Sequence, residues 1–235
     1  MGEVIRKNAA AADIFADTRA AVTHATARGG TWQTLASQSL TGPLKLADLV
    51  EARVVAARTS AAPLIAAQSS KNQQVDDLVG RISDLIWNDV GRPAHDPQYE
   101  LMFPSGIAFY TEARDDEQPA RMALLADLID SGIHPTLDPK KAKGYASEIR
   151  RAAAEFESVV DAARKPRAEV AMYERMQTVV ASNCQGALVN YKRLLKIAGM
   201  SEADIHTVIR DRPTRKPAAP SPASPSPAAP APTPA

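Results

Sequence analysis

Residues 138–163 read DPKKAKGYASEIRRAAAEFESVVDAA, and their spacing decides the fold class. Asp138 offers a carboxylate that can cap free amides, and Pro139 has no amide to lose, so the pair is a strong helix start. Behind it, Tyr145, Ile149, Ala152, Phe156, Val159 and Ala163 recur at alternating steps of four and three residues, one face of an α-helix. Lys165-Pro166 predicts a break. Beyond it, Val180, Cys184, Ala187, Tyr191, Leu194 and Ala198 repeat the same steps up to Gly199, a stretch of about thirty residues and roughly 50 Å. Two striped segments joined at a proline predict an antiparallel helix pair within a bundle. The small residues on both stripes let the axes approach closely.

Working outward, a first helix is expected from about Asn8 to Ala27, with Ile14, Phe15, Thr18, Val22 and Ala25 on one stripe and Gly29-Gly30 as its stop. Thr41 as N-cap and Pro43 in the first turn predict a second start. Its stripe runs through Leu46, Val50, Val54, Ala57, Ala61 and Leu64, and Pro63 predicts a kink or break there. Val75, Leu78, Val79, Ile82, Leu85 and Ile86 mark a further helix ended by Gly91 and Pro93. Pro119 opens a short one with Met122, Leu125, Leu128 and Ile129 facing inward, and Ser201 with Asp204 starts a last one to about Arg210. The expectation is an all-α antiparallel bundle over residues 1–210, with long C-terminal helices and an irregular aromatic-rich crossover at about 91–118. A Pro/Ala/Ser-rich tail follows over 211–235 and is expected to be disordered, since it holds no large apolar side chain to bury.

Composition narrows the function classes. The tail from Pro213 carries nine of the eighteen prolines and two of the 28 basic residues, so the body is close to neutral. A neutral body gives no support to a nucleic-acid partner, which needs a basic face. No apolar run is long enough to span a membrane, and the first residues lack the apolar core of a signal peptide. Cys184 is the one cysteine, which excludes an intramolecular disulfide and a multi-cysteine metal site. A cytoplasmic location is the expectation from these features.

Phosphate-loop, dinucleotide, zinc-protease and nucleophile-elbow motifs are all absent from the sequence. No ligand set has metal-site spacing and no cofactor is implied. Cys184 lies on an apolar stripe, the place of a packed thiol rather than a reactive one. His134, before Pro135, reads as part of a turn. The basic clusters around Lys140, Arg164 and Lys192 are interleaved with acids, as on a solvated face with ion pairs.

One stretch stands apart. Residues 99–110, YELMFPSGIAFY, hold four of the chain's eleven aromatic residues. Trp87, His95, Tyr99, Phe103, Phe109 and Tyr110 are therefore the candidate binding residues. In a lid reading, Phe103, Ile107 and Phe109 fold over the bundle with Trp87 beneath, Tyr99 and Tyr110 sit at the rim, and Ile107–Tyr110 forms an extended arm. Three functions follow in order. The first is a non-catalytic helical interaction or scaffold protein, with a protein partner, self-association through its helices, or a ligand of the Pro-rich tail. The second is a surface-active protein whose amphipathic helices coat a granule or membrane. The third is an enzyme with acid–base groups within residues 87–117: His95, Asp96, Glu100 or Tyr110.

Overall fold

A computed structural model describes residues 9–209, and the Pro/Ala tail lies outside them. Seven helices appear among these residues and no strand: α1 (Ala11–Arg28), α2 (Gly30–Asp89), α3 (Pro97–Met102), α4 (Ala108–Thr111), α5 (Gln118–Asp130), α6 (Pro139–Ile197) and α7 (Glu202–Val208). They form two compact units. One joins the residues up to Leu44 with those from Ala181 on; the other is Lys45–Val180.

Two helices are much longer than their sequence signals suggest. No second start occurs at Thr41: α2 is unbroken for 60 residues through Pro43 and Pro63, and the expected third helix is its continuation. Likewise α6 is unbroken for 59 residues with Pro166 inside it. A proline costs a helix roughly 3 kcal/mol through a lost hydrogen bond and a ring clash. A buried seam runs past Pro43 and Pro63, whereas on α6 it stops at Ala163 and resumes only at Ala181. Val50, Val54, Ala57, Ala61 and Gln68 are buried along α2, and Phe156, Val160 and Ala163 along α6. Pro63 itself is exposed, where the carbonyl it leaves without an amide can turn to water.

Gly29 and Gly30 do stop α1, and they do so without a loop. Both are left-handed (φ 69° and 53°), so the chain reverses and α2 begins at once. In this first unit Ala21 and Ala25 of α1 meet Ala36 and Leu40 of α2 and Leu188, Tyr191 and Leu195 of α6. Cys184 is buried there, its thiol donating to the Pro43 carbonyl at 3.5 Å. Ser201 caps α7 by accepting from the Asp204 amide. Glu202 binds Lys192 at 2.6 Å and Lys196 at 2.7 Å, and these ammonium groups pull its carboxyl from 4.5 down to about 2.

In the second unit the long helices run antiparallel. Asp89 meets Lys141, Arg81 meets Glu148, Lys71 meets Glu155 and Arg58 meets Glu174, so each step along α2 is a step back along α6. Asp138 caps α6 through the amides of Lys140 and Lys141, as its sequence predicts. Helices α3, α4 and α5 cover one face of this hairpin near its turn. Ile82, Ile86, Met122, Leu125, Ile129, Ile149 and Phe156 form the core between them.

Some stripe positions are shifted by one. Leu46 is half exposed and Ala47 is buried in its place; Leu195, not Leu194, is the core residue of α6; Leu85 is 37% exposed. A seam stepping by three and four can be continued from either neighbour, and the packing partner decides which side chain is enclosed.

Candidate functional site

The aromatic crossover is largely a packing device. Trp87, Tyr99, Phe103, Tyr110 and Phe109 form a continuous chain of ring contacts, with centroids 5.0, 5.0, 6.0 and 5.0 Å apart. Gly91 ends α2 with a positive φ, and Asp96 with Pro97 starts α3, so this short turn aims Tyr99 back at α2. The Tyr99 hydroxyl meets Ser83 Oγ at 2.7 Å, which holds it half-buried at the edge. Phe103 is buried in the core.

Tyr110 is not at the rim. It is fully enclosed and donates its hydroxyl to the Met102 carbonyl at 2.5 Å, and burial pushes its pKa up to about 12. Nor is its segment extended, because Ala108–Thr111 is the helical turn α4 and rotates Tyr110 inward. Ile107 stays 39% exposed beside Gly80, and Phe109 is half-buried under the Arg121 guanidinium.

The acid–base candidates do not assemble as their order in the sequence suggests. His95 and Glu100 are exposed. Asp96 binds His134 instead, Oδ2 to Nε2 at 2.7 Å, while its Oδ1 accepts the amides of Gln98 and Tyr99. The other imidazole nitrogen, Nδ1, lies 3.1 Å from the Thr136 hydroxyl. The imidazole, then the amides of Tyr99 and Gln98, hold the Asp96 carboxyl below its ordinary 3.8. Buried His134 thus ties the start of α3 to the α5–α6 turn, which is more than its neighbour Pro135 reveals. A cavity of about 150 Å³ adjoins it, lined by Ile129, Leu137 and Ala142 among others. That volume suits a few waters rather than a substrate. Tyr110, with its raised pKa, keeps its proton at neutral pH.

Another surface carries no such internal role. The Arg81–Glu148 and Lys71–Glu155 pairs span the hairpin on the flank that α3–α5 leave open. In a supercoiled pair, residues seven apart share a flank. Stepping from Glu148 gives Glu155, Ala162, Glu169 and Met176; stepping from Arg81 gives Gln74, Ala67, Ser60, Arg53 and Leu46. These rows, charge-bridged near the turn, end in Met176 and Leu46, and Met172 and Val179 lie next to Met176 on α6. Met172 and Met176 are each 47% exposed, Val179 69%, Leu46 51% and Leu49 54%. A shallow groove of about 500 Å³ follows α6 here, lined by Ala168, Ala171, Met172, Arg175, Met176 and Val179. The flank opposite is polar by comparison, bridged by Arg58 and Glu174 at 2.6 Å.

Sequence reasoning passed over Met172, Met176 and Val179 because only the inward stripe was sought. Their signal was there: once Ala163 and Val180 are taken as seam, the methionines form a second apolar row beside it.

Among the described residues no group of His, Cys, Asp and Glu is arranged to hold a metal ion, and no helix is long and apolar enough to cross a membrane. No protein-family model, curated protein or solved structure matches this chain.

Proposed function

We propose that this chain is a non-catalytic helical interaction protein that takes its partner on the open flank of the α2–α6 hairpin. One observation carries the reading. Large apolar side chains at Met172, Met176 and Val179 stand 47%, 47% and 69% exposed, close together on α6. They line one groove on α6, and a contiguous exposed apolar surface is what marks functional patches on monomers. Such a patch is the mark of a docking face for another protein. The aromatic crossover then serves as the lid that keeps the hairpin turn rigid, and a cytoplasmic location goes with the single cysteine.

The test is Met172→Asp with Met176→Asp. Both positions are half exposed, so stability should fall by no more than about 1.5 kcal/mol, mostly through helix propensity, while binding to any partner recovered with the wild-type chain should be lost. Unfolding of the variant would mean that the row is core after all. Unchanged binding would return attention to the crossover, where Tyr99 and Phe109 remain half exposed.

A further inference from the structure

We infer that the Lys45–Val180 unit binds one hard divalent cation, calcium in preference to magnesium, between the Asp76 carboxylate and the side-chain carbonyl oxygens of Asn72 and Gln118. The inference is independent of the methionine row on the stem.

It starts from a polar cluster between α2 and the beginning of α5. Gln68, Asn72 and Asp76 step by four along one ridge of α2. Gln118 opens α5 and is fully enclosed, and Gln68 is 1% exposed. The Gln118 amide donates to Asp76 Oδ1 at 2.7 Å, Asn72 donates to Asp76 Oδ2 at 3.1 Å, and Gln68 donates to Asp115 Oδ2 at 2.6 Å. These bonds fix which end of each amide is nitrogen, because an ionised carboxylate only accepts. The carbonyl ends are buried too, yet Gln68 Oε1, Asn72 Oδ1 and Gln118 Oε1 have no hydrogen-bond partner among the described residues. Buried polar oxygens ordinarily meet a donor or a cation, so three in one cluster point to a ligand.

Distance and charge select which ligand. The nitrogen and oxygen of an amide lie about 2.3 Å apart, so Asn72 Oδ1 and Gln118 Oε1 both fall within about 5.5 Å of the Asp76 carboxylate. A calcium ion at about 2.3–2.6 Å from each ligand bridges oxygens up to about 5 Å apart. Asp76 has no basic partner among the described residues, unlike Asp89 and Asp130 of the same unit. Burial raises its carboxyl above the ordinary 3.8 against the pull of the Gln118 amide, and the charges of Asp77 and Asp115 add to the rise. Water would bring donors to this cluster but no positive charge. A divalent cation brings charge and takes carbonyl and carboxylate oxygens together. Calcium does so in flexible geometry, whereas magnesium demands a near-ideal octahedron. A groove of about 280 Å³, lined by Gln68 and Asp115 among others, opens the cluster to solvent. Two of the three ligands are amide oxygens, so no set of His, Cys, Asp and Glu marks the place.

Calorimetric titration of the whole chain, first freed of metal with a chelator, tests this with calcium chloride and magnesium chloride. Calcium should bind at one site per chain and more tightly than magnesium, and millimolar calcium should raise the melting temperature by at least about 3 °C. D76N removes the charge and keeps the shape, and it should weaken calcium binding at least about tenfold. N72L, at a half-buried position, removes one carbonyl ligand and should do the same. D77N, on the exposed neighbour, should change binding less than about threefold, as a screened surface charge. Should D76N fail to fold, N72L decides. Neither heat nor a thermal shift with either ion overturns the inference, and the three oxygens are then hydrated. Calcium binding as tight in the folded variants as in wild type overturns it too, because the ion then sits elsewhere.

Discussion

The same two helices behave differently at the two ends of the Lys45–Val180 unit. Near the turn, Ile82, Ile86, Ile149 and Phe156 fill the seam, α5 covers one face and ion pairs bridge the other. Further along, the buried residues of α2 are small or β-branched: Ala47, Val50, Val54, Ala57 and Ala61. Bulky seam residues hold helices apart and demand more layers to enclose them. Small ones let two helices pack closely, but they bury little apolar surface. The difference teaches where to look for function: near the turn the aromatic rings and most isoleucines are used by the fold, and in the stem Met172, Met176 and Val179 of α6 stand half or more exposed.

That contrast can be broken most forcefully in the core. Phe156→Ala should cost about 3–5 kcal/mol in equilibrium unfolding, as a fully buried ring leaving a cavity. A loss below about 1 kcal/mol would show that the seam near the turn is no better packed than the stem. Tyr110→Phe is a finer probe of the lid. It keeps the ring and strands the Met102 carbonyl, so a loss of about 1–3 kcal/mol is expected; an unchanged midpoint would mean that water satisfies that carbonyl.

Acid should act on the turn end through Asp96. Asp96 has a folded-state pKa below 3.8, so what it contributes is complete above that value and is lost as pH falls through the lower one. Trp87 fluorescence, read in a Trp32→Phe background, should therefore shift as pH falls below 3.8, and Asp96→Asn should flatten that shift. An unchanged shift in that variant would deny the His134–Asp96 pair its local role. The smallest effect belongs to the stem, where Met172→Ala should change stability by less than about 0.5 kcal/mol.

Much of this fold was legible in the sequence, for reasons that can be named. Asp138-Pro139, Gly91 and Gly199 act through their own backbone chemistry, so each marks a real boundary. Prolines 43 and 63 misled because their cost is local while the seam that outweighs it depends on another helix; Pro166 lies in a stretch of α6 with no fully buried residue. The crossover aromatics were visible by composition, yet their order of burial was not. One helical turn at Ala108–Thr111 sends Tyr110 inward and leaves Ile107 out, and no period signals a turn that short. His134 and Asp96 lie 38 residues apart, and nothing in either neighbourhood announces the other. The stem row could have been found by looking for a second stripe beside the first.

Methionine oxidation tests the central claim most directly, because the chain carries both kinds of methionine. Met102 and Met122 are fully buried near the turn, while Met172 and Met176 are half exposed on the stem. Under dilute peroxide, followed residue by residue by mass spectrometry, Met172 and Met176 should oxidise at least about tenfold faster than Met102 and Met122 at low protein concentration. The buried pair should stay slow throughout. Stem methionines as slow as the buried pair at the lowest concentration would contradict the account, because the flank would then be covered within the chain itself.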